Sequence, residues 1–222
     1  LGNAAVIAKA DMRRKNRETF DVKANLQSLQ IGKLIQNKDI GSITAQINAK
    51  GQGFDPKTMS ANLSGDVQSA TYNGYTYQNL NLKGKINRGA YDIDLNSKDP
   101  NANLHLAASG VYDEKNPTVK VNGNINKLDL NKLGFYSSPM IIAGGIDGDF
   151  KSLDPDNLNG YLNLKDFAIS DTKEVYPIQE VRLNAVSTAD STLIKFNSQI
   201  ADVELNGKYK LTQIFGALSQ TI

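Results

Sequence analysis

Apolar and polar residues alternate one for one along most of the chain. Ile43, Ala45, Ile47 and Ala49 alternate with Thr44, Gln46 and Asn48, and Leu80, Leu82, Gly84 and Ile86 with Asn81, Lys83 and Lys85. The same holds for Tyr91, Ile93 and Leu95, for Leu104 and Leu106, and for Val119, Val121, Gly123 and Ile125. It returns at Ile194 and Phe196, then at Val203 and Leu205. A period of two is the signature of half-buried strands. The intervening residues are Asn, Asp, Lys and Gln, so the second face of each strand meets water, which predicts an antiparallel sheet with one apolar side.

The breaks between these runs carry turn chemistry. Tyr72-Asn73-Gly74-Tyr75 predicts a two-residue hairpin, because Asn-Gly accepts the positive φ angles of a type I′ turn. Asn87-Arg88-Gly89 and Lys98-Asp99-Pro100-Asn101 are similar breaks. Helical periodicity is scarce. "IGKLIQNK" and "LNKLGFYSS" allow one turn each, and residues 211–222 predict a short amphipathic helix with Leu211, Ile214, Phe215 and Leu218 on one side.

The chain also repeats itself. "FDPKTMSANL" (Phe54–Leu63) is echoed by "LDPDNLNGYL" (Leu153–Leu162), 99 positions on. At that offset Val22 matches Val121, Leu29 Leu128, Ile43 Ile142, Tyr77 Tyr176, Leu104 Val203 and Leu106 Leu205. The register slips to 101 where Ile93 meets Ile194 and Leu95 meets Phe196. Repeated units stack and bury each other's ends. The pattern predicts eight to ten strands per unit, roughly sixteen to eighteen in all, and at ~4.8 Å per strand a stack about 80 Å long. The expected division is a first repeat over 1–125, a second over 126–210 and the terminal helix over 211–222.

Composition narrows the chemistry. With 25 basic and 23 acidic residues the net charge is +2, which calls for neither nucleic acid nor an anionic membrane surface. There is no cysteine, so disulfides, thiolate metal sites and thiol nucleophiles are excluded. His105 is the only histidine, and its place between Leu104 and Leu106 puts it on the polar face, away from any triad or multi-histidine metal site. Asp147 and Asp149, like Asp92 and Asp94, fall at strand spacing without the further carboxylates of a calcium loop. Gly84-Lys85 lacks the flanks of a phosphate-binding loop. The chain is therefore expected to be no enzyme and to hold no cofactor or metal. Arg13-Arg14-Lys15-Asn16-Arg17 reads as a polar hairpin tip, with anionic headgroups as its alternative partner. Tyr72, Tyr75 and Tyr77 read as a hairpin clasp rather than a stacking platform for bases or sugars.

An apolar strip left open costs roughly 1.5–3 kcal/mol per large side chain, so the apolar face needs cover. An outer-membrane barrel would need aromatic girdles, but aromatics are only 7% of the chain and Trp is missing. A β-sandwich serving assembly or adhesion, with no lipid cargo, covers the face with a second sheet. The remaining route is a curled trough that keeps its apolar face for a ligand.

Three stretches, Glu18–Leu34, Ile43–Ile86 and Gly207–Ile222, together resemble the TamB/AsmA-like family of Gram-negative envelope proteins. The resemblance covers nearly the whole chain and rests on strand patterns such as "FDP…L.G.L" rather than on catalytic residues. It implies a long periplasmic β-groove in a protein anchored in the inner membrane, with an apolar interior that carries phospholipid acyl chains towards the outer membrane. It also implies a TamA-like outer-membrane barrel as partner and a role in outer-membrane protein assembly. The N-terminal "LGNAAVIAKADMRRK" reads as a chain entered mid-structure, so a fragment of a longer protein is expected. The expected fold is an elongated, curled antiparallel sheet, a half-pipe of two repeats with a short C-terminal helix. The expected lipid-lining residues are Ile43, Ile47, Leu63, Leu82, Ile93, Leu95, Leu104, Leu106, Val121, Ile142, Ile146, Leu162, Leu183, Ile194, Phe196, Val203 and Leu205. Open edges at the two ends are expected to pair with other copies.

Overall fold

The structure is a computed structural model that describes residues 1–13, 17–114, 116–171 and 173–213. The strands form one antiparallel sheet that does not close. They are β1 (Asn3–Asp11), β2 (Thr19–Gln30), β3 (Ile40–Gln52), β4 (Ser60–Tyr72), β5 (Tyr75–Asn87), β6 (Ala90–Lys98), β7 (Ala102–Val111), β8 (Thr118–Asp129), β9 (Ile141–Ser152), β10 (Asn159–Ser170), β11 (Val175–Pro177), β12 (Glu180–Ser187), β13 (Thr192–Ser198) and β14 (Asp202–Gly207). Each pairs with its neighbour in sequence, except that β12 follows β10 and the short β11 pairs beside it on β10. The edges are β1 and β14, as the open-ended repeat requires.

Fourteen strands among the described residues is fewer than the sixteen to eighteen expected, because several breaks in the alternation are bulges rather than turns. In β2, Gln27 and Ser28 together oppose the single Thr44, with Ser28 at φ 48°, and the strand continues to Gln30. A bulge absorbs one residue and bends the strand without ending it. The thirteen strands on the main path span about 58 Å at ~4.8 Å each.

The 99-residue repeat is visible in the elements themselves. β2 and β8 superpose at that offset, as do β4 and β10. The bulge at Gln27–Ser28 returns at Asn126–Lys127, and that at Gln68 returns near Asp166. The equivalent of β5 is broken into β11 and β12, which is where the register slips. Residues 125 and 126, the expected repeat boundary, lie inside β8, which runs on through them to Asp129 with the bulge at Asn126–Lys127 as the irregularity in its ladder.

Of the three helical stretches, Ile31–Ile35 forms one α-turn (α1), capped by Gln36 in the left-handed conformation. "LNKLGFYSS" forms turns, with Leu133 buried at 1% exposure. Of the stretch expected to form the C-terminal helix, Leu211, Thr212 and Gln213 are helical, and residues 214–222 lie outside the described residues. Among the described residues one 3-10 turn, Pro155–Asn157, completes the set.

No second sheet covers the apolar face among the described residues. The chain exposes 14470 Å², against about 10,000 Å² for a compact protein of 24.2 kDa. The excess is the signature of an open, elongated sheet. Along β3, Ile43, Ala45, Ile47 and Ala49 are half-buried or buried, while the alternate Gln46, Asn48 and Lys50 are exposed. With no covering layer, such shielding comes from side chains that converge as the sheet curls around its apolar side.

Candidate functional site

The strand registers line up the apolar residues in rows that cross the whole sheet. One row reads Ala8, Val22, Ala49, Leu63, Gly84, Ile93, Ala108, Val121, Gly148, Leu162, Leu183, Phe196 and Val203, each the direct partner of the next. No polar residue interrupts it over thirteen strands. On one side runs a row through Ile47, Leu82, Leu95, Leu106 and Ile146. On the other, a row from Ala10 and Phe20 reaches Ile194 and Leu205 at the far edge. Leu104 belongs to a fourth row, between Ser97 and Ile125. Ile43 pairs with Leu29 and Ala70, and Ile142 with Leu128 and Ile169, beyond the bulges.

Fifteen of the seventeen expected lining residues therefore sit in these four rows, and Ile43 and Ile142 stand in shorter apolar rows beyond the bulges. Of the seventeen, twelve are half-buried, Ile194 is buried, and Leu63, Ile93, Val203 and Leu205 are exposed. Half-burial is what an open apolar channel gives, since a closed core would drive such residues below a tenth exposed.

Sequence reasoning missed part of the floor. Phe20, Leu26, Val67, Phe150, Leu164 and Val181 occupy the same rows, as do Leu80 and Val119 of the alternating runs. The alternation in "FDVKANL" carried the signal for the first two. It also missed the role of the glycines, many of which stand opposite a large residue. Leu106 faces Gly123, where a Cβ would come within 2.2 Å of the His105 carbonyl oxygen and 2.7 Å of Leu106 Cδ2. Phe20 likewise faces Gly51. Removing the Cβ lets the large side chain lie flat on the sheet.

The polar side is held by charge pairing. Lys9, Asp21 and Lys50 are cross-strand neighbours, as are Lys85 with Asp92 and Lys195 with Glu204. Lys50–Asp21 is 3.4 Å and Lys195–Glu204 is 3.1 Å. Each exposed pair contributes little alone; a two-residue slip of β1 in one direction would set Lys9 opposite Lys23, so on β1 and β2 the charges favour the observed register. His105 lies on this side, its Nε2 2.8 Å from Asp94 Oδ2. Asp149 accepts from Lys151 at 2.8 Å, and Asp147 from Asn122 at 3.3 Å. Among the described residues no group of three His, Asp or Glu side chains is placed to hold a metal.

Two rims of loops flank the rows. On the rim that holds the β4–β5 hairpin, Tyr72 and Tyr75 pair directly, and the Tyr75 and Tyr77 rings meet edge to face at 4.8 Å. The Tyr75 hydroxyl donates to the fully buried Asp99 at 2.7 Å, an anchor invisible in the sequence pattern. Burial, followed by the bond to Asp99, raises the Tyr75 phenol above its ordinary range. On the opposite rim Arg13 pairs with Asp11, while Arg14, Lys15 and Asn16 lie outside the described residues. There the segment after β14 folds back over the apolar side, packing Leu211 against Ala185 and Ile194.

The chain matches no protein-family profile, no curated protein and no solved structure.

Proposed function

We propose that this chain is a segment of a TamB-like periplasmic bridge whose apolar trough carries phospholipid acyl chains between the inner and outer membranes. The observation that supports this reading is the row from Ala8 to Val203, apolar across all thirteen strands of the main path and, among the described residues, uncovered by a second sheet. A soluble protein keeps so large an apolar strip open for something that binds it. The strip has no convergent polar group along its middle rows, which suits sliding of chains better than selection of one ligand. In the full-length protein, anchored in the inner membrane, the partner is a TamA-like outer-membrane barrel, and the work served is outer-membrane assembly.

The test is extraction of the chain purified without detergent, followed by native mass spectrometry. Co-purified phospholipid is expected, displaceable by a fluorescent acyl-chain probe. A chain that carries no lipid and takes up no probe overturns the reading in favour of an assembly module without lipid cargo.

A further inference from the structure

Two guanidinium groups on one rim have no ion-pair partner among the described residues. Arg17, just ahead of β2, and Arg88, in the β5–β6 turn, line one recess of about 400 Å³ together with Gln52, Asp55, Thr58 and Ser60. By contrast Arg13 on the same rim is spent on Asp11, and Lys57 on Glu114. The recess is held by bonds between its loops. Gly53 donates to the Glu18 carbonyl at 2.8 Å, Arg88 N–H to the Met59 carbonyl at 2.8 Å, and Ser60 Oγ to Asn87 Oδ1 at 2.8 Å. Asp55 is the one acid in the lining, and its Oδ1 already accepts from Lys57 N–H. The lining thus has an excess of one positive charge, with the Gln52 amide beside it.

An apolar surface adjoins this recess. Phe54, the residue before Asp55, is 58% exposed and stacks on Phe20 at 5.5 Å between ring centres. Phe20 belongs to the apolar rows. An amphiphile at this point would place its chain along Phe20 and its anionic head against the arginines.

The second copy lacks this arrangement. Its corresponding recess, about 520 Å³, has no arginine in the 188–191 turn; Lys208 and Lys210 enter from the segment after β14, and Asp154 and Asp156 offset them.

We propose that the Arg17–Arg88 recess binds the phosphate ester of a glycerophospholipid whose acyl chains enter the trough past Phe54 and Phe20. This rests on the lipid reading above and assigns the headgroup its place. Arginine suits it because the planar fork matches phosphate oxygens, in bonds stronger than those between neutral groups.

The test compares dihexanoyl phosphatidylglycerol, dihexanoylglycerol and inorganic phosphate, each titrated calorimetrically into the whole chain. The variants are Arg17→Gln with Arg88→Asn, the asparagine chosen because Arg88 has φ 49°, and Arg13→Gln as control. The wild type should bind the phospholipid at least about tenfold more tightly than the phosphate-free lipid. The double variant should bind both alike, and Arg13→Gln should stay within twofold of wild type. The advantage should also fade as salt is raised. Unchanged phospholipid binding by the folded double variant overturns the proposal, whatever the trough does. Inorganic phosphate held as tightly as the phospholipid overturns the lipid source. Failure of dihexanoylglycerol to bind, with inorganic phosphate still held by the arginines, overturns the trough reading and leaves the recess an anion site only.

Discussion

Asp55 and Asp154, 99 positions apart, accept the same two hydrogen bonds in the same turn. Each takes a backbone N–H from two residues on at its Oδ1, from Lys57 at 2.9 Å and from Asp156 at 3.0 Å. Each takes another at its main-chain oxygen from three residues on, Thr58 and Asn157, both at 2.9 Å. The Asp-Pro echo is thus a turn-forming device, with proline presetting φ and the carboxylate closing the bend.

Loss of this carboxylate should loosen the rim. The Asp154 carboxyl is held below its ordinary 3.8, first by the Asn157 side chain and then by Asp156 N–H. Because the folded value is depressed, its contribution is present above pH 3.8 and fades as the pH falls through the folded value. Asp154→Ala should therefore lower the melting temperature at pH 7, and the gap to wild type should narrow as the pH falls below 3.8. A gap that is constant from pH 7 to pH 2 would refute the role given to the carboxylate.

The trough should tolerate a charge that a closed core would not. Leu104→Arg and Ile142→Arg place a guanidinium among half-buried residues, from which its head can reach water along the open face. Both variants should fold, by far-UV circular dichroism, and lose acyl-probe binding. Rescue of an envelope-defective strain by the full-length protein should fail in parallel. An unfolded variant, as expected where a charge is buried unpaired, counts against the open trough.

The glycines divide into two kinds. At Gly123 a Cβ meets backbone at 2.2 Å, so Gly123→Ala should cost at least about 1–3 kcal/mol in urea denaturation. At Gly84 the nearest atom is Leu63 Cβ at 3.8 Å, and Gly84→Ala should be neutral or stabilise by up to about 1 kcal/mol. Equal costs at both sites would show that close approach across the rows does not limit the curl.

Asp99 accepts from the Tyr75 hydroxyl and from the N–H groups of Gln78, Asn101 and Ala102. Asp99→Ala leaves these donors without a partner and should cost about 2–4 kcal/mol. The raised Tyr75 phenol contributes stability that is fully present below pH 10 and lost as the pH rises through its folded value. Tyr75→Phe should remove that alkaline loss, read as a flattened stability profile between pH 9 and pH 12.

Removing residues 211–222 should uncover Ala185 and Ile194 beside the β14 edge. Concentration-dependent association should then increase, measured by sedimentation velocity. Leu211→Ala should show a smaller effect of the same sign. A truncated chain that remains monomeric at high concentration contradicts the open-edge argument.

The alternation of Ile43, Ala45, Ile47 and Ala49, and its recurrence 99 residues on, determined the class of fold and which residues of each strand share the apolar face. Period two is a local property, because successive side chains on a strand must point to opposite faces. The sequence did not determine how many strands there are, since a bulge at Ser28 and a turn break the period alike and only pairing with β3 tells them apart. Nor did it place Asp99 beneath Tyr75, 24 residues away, or Arg17 beside Arg88. Those neighbours come from registers and loop contacts between strands, set when many pairs are satisfied at once. The glycine positions were legible as letters but not as floor, because the space a missing Cβ frees belongs to the residue across the ladder.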